Sequence, residues 1–152
     1  MLENSKTCTF YASDYHFEMI ILPYVNKKLE EKNNIVIFTQ NNLKNSIDTL
    51  ISRMSLNDEK KQKILNLDWK NNDFQKFENL KQYEKNNKKT VVFIKGTEDY
   101  IRSINESISK NMLKSNLKIV DCYPVDDLRK NMTDITNKYQ NYLNTSGETK
   151  ID

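Results

Sequence analysis

Glycine is nearly absent: Gly96 and Gly147 are the only two in 152 residues. A phosphate-cradling loop brings backbone amides against phosphoryl oxygens, where a Cβ would obstruct them, so neither a Walker A loop nor a Rossmann fingerprint can be built. His16 is the only histidine, and Cys8 and Cys122 are the only cysteines. A multi-histidine zinc or iron site within one chain is thereby excluded, and two thiols so far apart make no zinc ribbon. A Ser-His-Asp triad would have to use His16, and no G-x-S-x-G elbow is present. No catalytic residue is assigned, no cofactor is expected, and the identity of any metal is left open.

Charge of one sign is also missing. Lysine and arginine number 24 against 21 aspartates and glutamates, a net charge of +3, which gives a mixed surface rather than a nucleic-acid stripe. The densest basic cluster, Lys85, Lys88 and Lys89, reads as a solvated loop. No apolar run approaches membrane-spanning length, and Met1 to Lys6 contain no apolar signal core, so a cytoplasmic protein without a membrane partner is expected. So few cysteines build no disulfide framework.

What is present is a set of apolar blocks. Four runs read as strands: Thr7 to Ala12, Ile35 to Thr39, Thr90 to Ile94, and Leu117 to Tyr123. The second and third are continuously apolar, as befits strands covered on both faces. Between them apolar residues recur at helical spacing. Phe17, Ile20, Ile21, Tyr24, Val25 and Leu29 mark a first helix, in which Pro23 predicts a kink or break. Leu43, Ile47, Leu50, Ile51 and Met54 mark a second. Ile64, Leu65, Trp69, Phe74, Phe77, Leu80 and Tyr83 follow without an intervening strand. Tyr100, Ile101, Ile104, Ile108, Met112 and Leu113 mark the next helix, and Leu128, Met132, Ile135, Tyr139 and Leu143 the last.

This alternation predicts an α/β three-layer sandwich with a short, mainly parallel sheet of about four strands and helices on both faces. Residues 1–143 form a single domain with a helical insertion at about 55–88, read as a sheet-edge cover or a lid. Trp69 is expected to anchor it. Residues 144–152 read as a flexible tail.

In open parallel sheets ligands gather beyond the carboxyl ends of the strands. The segments converging there contain Ser13, Asp14, His16, Gln40, Lys95, Thr97, Glu98 and Asp126, the candidate ligand-binding residues. Carboxylates clustered without thiolates suit a hard cation such as magnesium. Ser13 or Asp14, Asn41, Thr97 and Asp126 also fall where helix N-caps belong, and capping would account for them without a ligand. His16 has two readings as well, a ligand contact or a first-turn side chain bonded to nearby backbone.

The run Phe10-Tyr11, then Leu22-Pro23-Tyr24-Val25, Lys27 to Glu31, and Asn34 to Thr39 resembles the MEDS-type sensory domain of bacterial and archaeal regulators. The likeness covers roughly residues 7–127. It implies a degenerate RecA/KaiC-like P-loop fold that lacks Walker A, and a sensory role. The primary expectation is a non-catalytic regulatory or sensing module that binds a small polar ligand or a protein partner at the strand ends, with self-association into a homo-oligomer compatible. Two alternatives are carried. One is a nucleic-acid-associated protein using the lysine-rich insertion and its aromatic residues, a partner that the interleaved acidic residues disfavour. The other is a magnesium-dependent phosphoryl-transfer or hydrolytic enzyme using Asp14, Glu98, Asp99, Asp126 and Asp127.

Overall fold

The structure, a computed structural model, describes residues 6–112 and 116–151. The five residues before Lys6, Leu113 of the expected fifth stripe, and Asp152 lie outside the described residues. The strands are β1 (Lys6–Tyr11), β2 (Asn34–Thr39), β3 (Thr90–Lys95), β4 (Leu117–Pro124), β5 (Asn141–Asn144) and β6 (Gly147–Lys150). They form one sheet in the order β2-β3-β4-β1-β5-β6. All neighbours pair parallel except the β5–β6 hairpin, which is antiparallel.

Strand residues alternate between two apolar layers, as the pleat requires. Tyr11, Ile35, Ile37, Val91, Phe93, Val120 and Cys122 join one buried cluster with α1 (Asp14–Glu30), α2 (Lys44–Ser52) and α3 (Asp58–Leu65). Cys8, Phe10, Val36, Phe38, Val92, Ile94, Ile119 and Tyr123 join the other, under α4 (Asp73–Tyr83), α5 (Glu98–Asn111) and α6 (Met132–Thr136). The two thiols therefore face opposite layers, and both are free and buried. Burial pushes Cys8 up to about 11 and Cys122 well above its ordinary value, so neither is poised as a nucleophile.

Pro23 does not divide α1, which runs unbroken through it. A proline there frees the carbonyl four residues back, at Met19, and Met19 and Pro23 are both exposed, so water can take that bond. The segment between α2 and β3 is not a detachable cover. Ile64 and Trp69 are wholly buried in the first layer, and the Trp69 Nε1–H donates to the Ile64 carbonyl at 2.9 Å. Next, α4 lies in the second layer, where Phe77 packs on Phe38 with ring centroids 4.8 Å apart. It is the crossover from β2 to β3, with α3 added on the opposite face.

Lys76 on α4 is buried, and its ammonium donates to the Lys70 carbonyl. Burial pushes it down to about 8, against the pull of Asp68 and Asp73. Because the folded chain then binds fewer protons than the unfolded one above about 8, stability should rise with pH from there to the ordinary lysine value of about 10.4. Lys76→Met is expected to remove that rise and to stabilise the fold at neutral pH by about 1–3 kcal/mol, as measured by denaturant melts across pH. An unchanged pH profile would refute the assignment.

The last third differs from expectation. The helical spacing from Leu128 to Leu143 corresponds to only five helical residues, Met132–Thr136, capped by Asn131 Oδ1 accepting from Asp134 N–H at 2.8 Å. Leu143 instead points into the first layer from β5. The segment expected to fray supplies β6, and Gly147, at φ 113°, supplies the left-handed turn residue. The sheet is accordingly six-stranded and mixed rather than four-stranded.

Candidate functional site

From β1 the chain crosses to β2 on one side of the sheet, and from β4 it crosses to β5 on the other. The adjacent pair β1 and β4 is therefore the topological switch point, where open α/β sheets place ligands. The β1–α1 connection is only Ala12 and Ser13, too short to wrap a phosphate. Ser13 Oγ caps α1 by accepting from His16 N–H at 3.1 Å, and His16 Nδ1 accepts from Ala12 N–H at 2.8 Å. Thr97 Oγ1 caps α5 in the same way, accepting from Tyr100 N–H at 3.2 Å.

The other strand-end candidates interlock. The Lys95 ammonium, 4% exposed, lies 2.9 Å from Asp14 Oδ1 and 2.9 Å from Asn41 Oδ1, over the rings of Tyr11 and Phe17. Asn41 Nδ2 donates to Asp14 Oδ2 at 2.8 Å, so Asn41 binds a side-chain network and does not cap a helix. Gln40 Oε1 accepts from Thr97 N–H at 2.7 Å, across a gap that only Gly96 leaves open: a Cβ there would stand 2.3 Å from that oxygen. Glu98 Oε2 accepts from Arg129 N–H at 2.7 Å. Asp99 pairs with Arg129 at 2.6 Å and Arg102 at 3.1 Å, and hydrogen bonding to Arg129 holds its carboxyl below the ordinary range. Asp126 lies exposed in a 3-10 turn, Val125–Asp127, apart from these bonds. The structure thus brings Asp14, Lys95 and Asn41 together and spends them on one another. No group of three or more His, Cys, Asp or Glu among the described residues is placed to hold a metal ion.

Open space beside β1 and β4 lies on the second layer. The α6 helix has five residues against fourteen in α5, so the β4-to-β5 crossover does not roof β1 and β4 completely. A groove of two adjoining compartments remains, about 210 and 510 Å³, sharing Lys6, Arg102 and Asn105 as walls. The smaller compartment has Asp121 at its floor and reaches Tyr123 and Glu98 at the strand ends. The larger runs along Ile119, Ser109 and Lys110 towards the amino ends.

Asp121 is 1% exposed, yet fully engaged. Asn105 Nδ2 donates to its Oδ1 at 3.0 Å, the Tyr139 hydroxyl donates to its Oδ2 at 2.5 Å, and the Lys6 ammonium lies at 3.6 Å. With the Tyr139 proton committed to the carboxylate, the Tyr123 hydroxyl, 2.5 Å away, donates to Tyr139. Burial pushes the Asp121 carboxyl above its ordinary range, against Lys6, Tyr139 and Asn105. Burial and the Asp121 charge push the Tyr139 phenol far up, so it acts as a fixed donor. Asp121 is not among the residues that the sequence singles out. Its signal is a carboxylate flanked by Ile119, Val120, Cys122 and Tyr123, where a buried charge demands partners.

No protein-family model matches the chain, and comparisons with curated proteins and with solved structures found no match. Among the described residues no helix is long and apolar enough to cross a membrane.

Proposed function

We propose that this chain is a non-catalytic regulatory or sensing module that takes a small polar ligand in the α5–α6 groove. One observation carries the reading: an open groove beside the switch point, floored by a buried, hydrogen-bonded carboxylate–tyrosine chain and rimmed by lysine and arginine. The likeness to MEDS-type sensory domains fits, since a sheet with so short a first connection must hold a ligand elsewhere than at a phosphate loop. The nucleic-acid alternative has a reduced stacking platform, because Trp69 is buried and Phe77 is packed on Phe38, which leaves Phe74 as the exposed ring of the insertion.

A protein partner at the strand ends is the second reading. Tyr15, Phe74 and Met132 are exposed in the first turns of α1, α4 and α6, and Val125 is exposed just beyond β4, all at the carboxyl end of the sheet. An amide NMR titration with nucleotides and acidic metabolites separates the two. Groove binding is expected to shift Asn105, Ile119, Asp121 and Tyr139. Shifts confined to the Tyr15 and Phe74 turns, or none at all, would overturn the groove reading.

A further inference from the structure

The smaller compartment is lined by four cations, Lys6, Arg102, Lys130 and Lys138, and by two carboxylates, Glu98 and Asp121. Arg102 is held by Asp99 and Lys6 by Asp121. Glu98 accepts from the Arg129 backbone, which leaves its negative charge in place, and it attracts Lys138. Lys130 and Lys138 both line this compartment and have no ion-pair partner among the described residues. Contact with Lys130 holds the Lys138 ammonium below its ordinary range.

The backbones that carry the two lysines are pinned beside the groove. Arg129, next to Lys130, is clamped to the first turn of α5 by Glu98 and Asp99 at 2.7 and 2.6 Å. The Lys138 N–H donates to the Ile135 carbonyl at 3.0 Å in the turn that ends α6. Four cations against two carboxylates leave the lining an excess of two positive charges, of which a single carboxylate would neutralise one. A phosphate monoester, with a charge of about −1.5 to −2 at neutral pH and three acceptor oxygens, matches both. Lysines serve such a dianion as point charges, without the planar fork of an arginine. The larger compartment, about 510 Å³, has the size of a small-molecule pocket and a mixed lining suited to an organic body.

We propose that the groove binds a small phosphate monoester, with its phosphoryl oxygens between Lys130 and Lys138 and its body along Asn105 and Ile119. This rests on the groove reading above and names its ligand class. It needs no main-chain phosphate loop, because side chains supply the grip.

The test is calorimetry on the full chain at fixed ionic strength. The probes are glycerol phosphate, adenosine monophosphate and inorganic phosphate, against glycerol, adenosine and succinate. Phosphorylated probes are expected to bind, and Lys130→Gln/Lys138→Gln to weaken them at least about tenfold. Lys85→Gln/Lys88→Gln, on the far loop, should leave binding unchanged. All four lysines are exposed, and thermal melts check that the variants fold. Equal binding by wild type and the Lys130/Lys138 variant overturns the proposal, as does preference for an unphosphorylated probe. In the second case groove-centred NMR shifts would leave the groove reading standing while the phosphate assignment falls. If no probe binds, the phosphate assignment is lost.

Discussion

Trp69→Ala is expected to lower the free energy of unfolding by about 3–5 kcal/mol, the range for emptying a large buried aromatic site. Trp69 is wholly buried beside Leu43 and Ile64. Its carbonyl accepts from Leu43 N–H at 2.9 Å, and its indole N–H donates to Ile64. Losing the ring opens a void among α1, α2 and α3, which cannot close without moving α1. Trp69→Phe keeps most of the volume and loses the hydrogen bond, so a cost of about 1–2 kcal/mol is expected. Urea melts followed by circular dichroism check both values. If residues 55–88 were a hinged cover, the alanine variant would leave the global transition almost unmoved, and such a result would sink the account of Trp69 as part of the core.

Tyr139→Phe is expected to destabilise the fold by about 1–3 kcal/mol at neutral pH, more than Asp121→Asn, which should cost less than about 1 kcal/mol. The phenylalanine variant takes the Tyr139 donor from a buried carboxyl group and leaves that oxygen with only the Lys6 ammonium at 3.6 Å. The asparagine variant removes the charge: its Oδ1 still accepts from Asn105, its Nδ2 can donate to the Tyr139 hydroxyl once the Tyr139–Tyr123 bond reverses, and Lys6, 38% exposed, can turn to water. The pH profiles should separate them further. Since the folded Asp121 carboxyl titrates above its unfolded value, its stabilising contribution is complete below the ordinary aspartate range and is lost as pH rises through the raised value. In Asp121→Asn that decline should vanish, and in Tyr139→Phe it should extend to an even higher pH. Melts between acid and neutral pH would refute this if Asp121→Asn retained the decline or proved the more damaging change.

The first four strands were legible because runs such as Ile35 to Phe38 are apolar at every position, which a strand buried on both faces requires. The helices α1, α2 and α5 were legible because their buried residues recur at helical spacing. The region after Pro124 was misread for a physical reason. Ile135, Tyr139 and Leu143 have helical spacing by coincidence, but they serve different layers, and Asn144-Thr145-Ser146-Gly147 is a turn. At the site, chain order made it plain that Asp14, Lys95 and Glu98 would share the rim. It could not show that Lys95 would be sealed against Asp14, nor that a shortened crossover helix would leave a groove above Asp121. Those depend on lengths and packing that only the assembled layers decide.

The position of β1 has a consequence for how the chain is made. It lies between β4 and β5, which begin only at Leu117 and Asn141, and it pairs with both. On the ribosome, the segment Thr7 to Tyr11 emerges long before either neighbour exists, with an open hydrogen-bonding edge on each side. Long-range pairing of this kind slows folding and prolongs exposure of β-prone apolar sequence. The nascent chain therefore meets its greatest risk of mispairing at its first strand, and chaperone holding should matter most there.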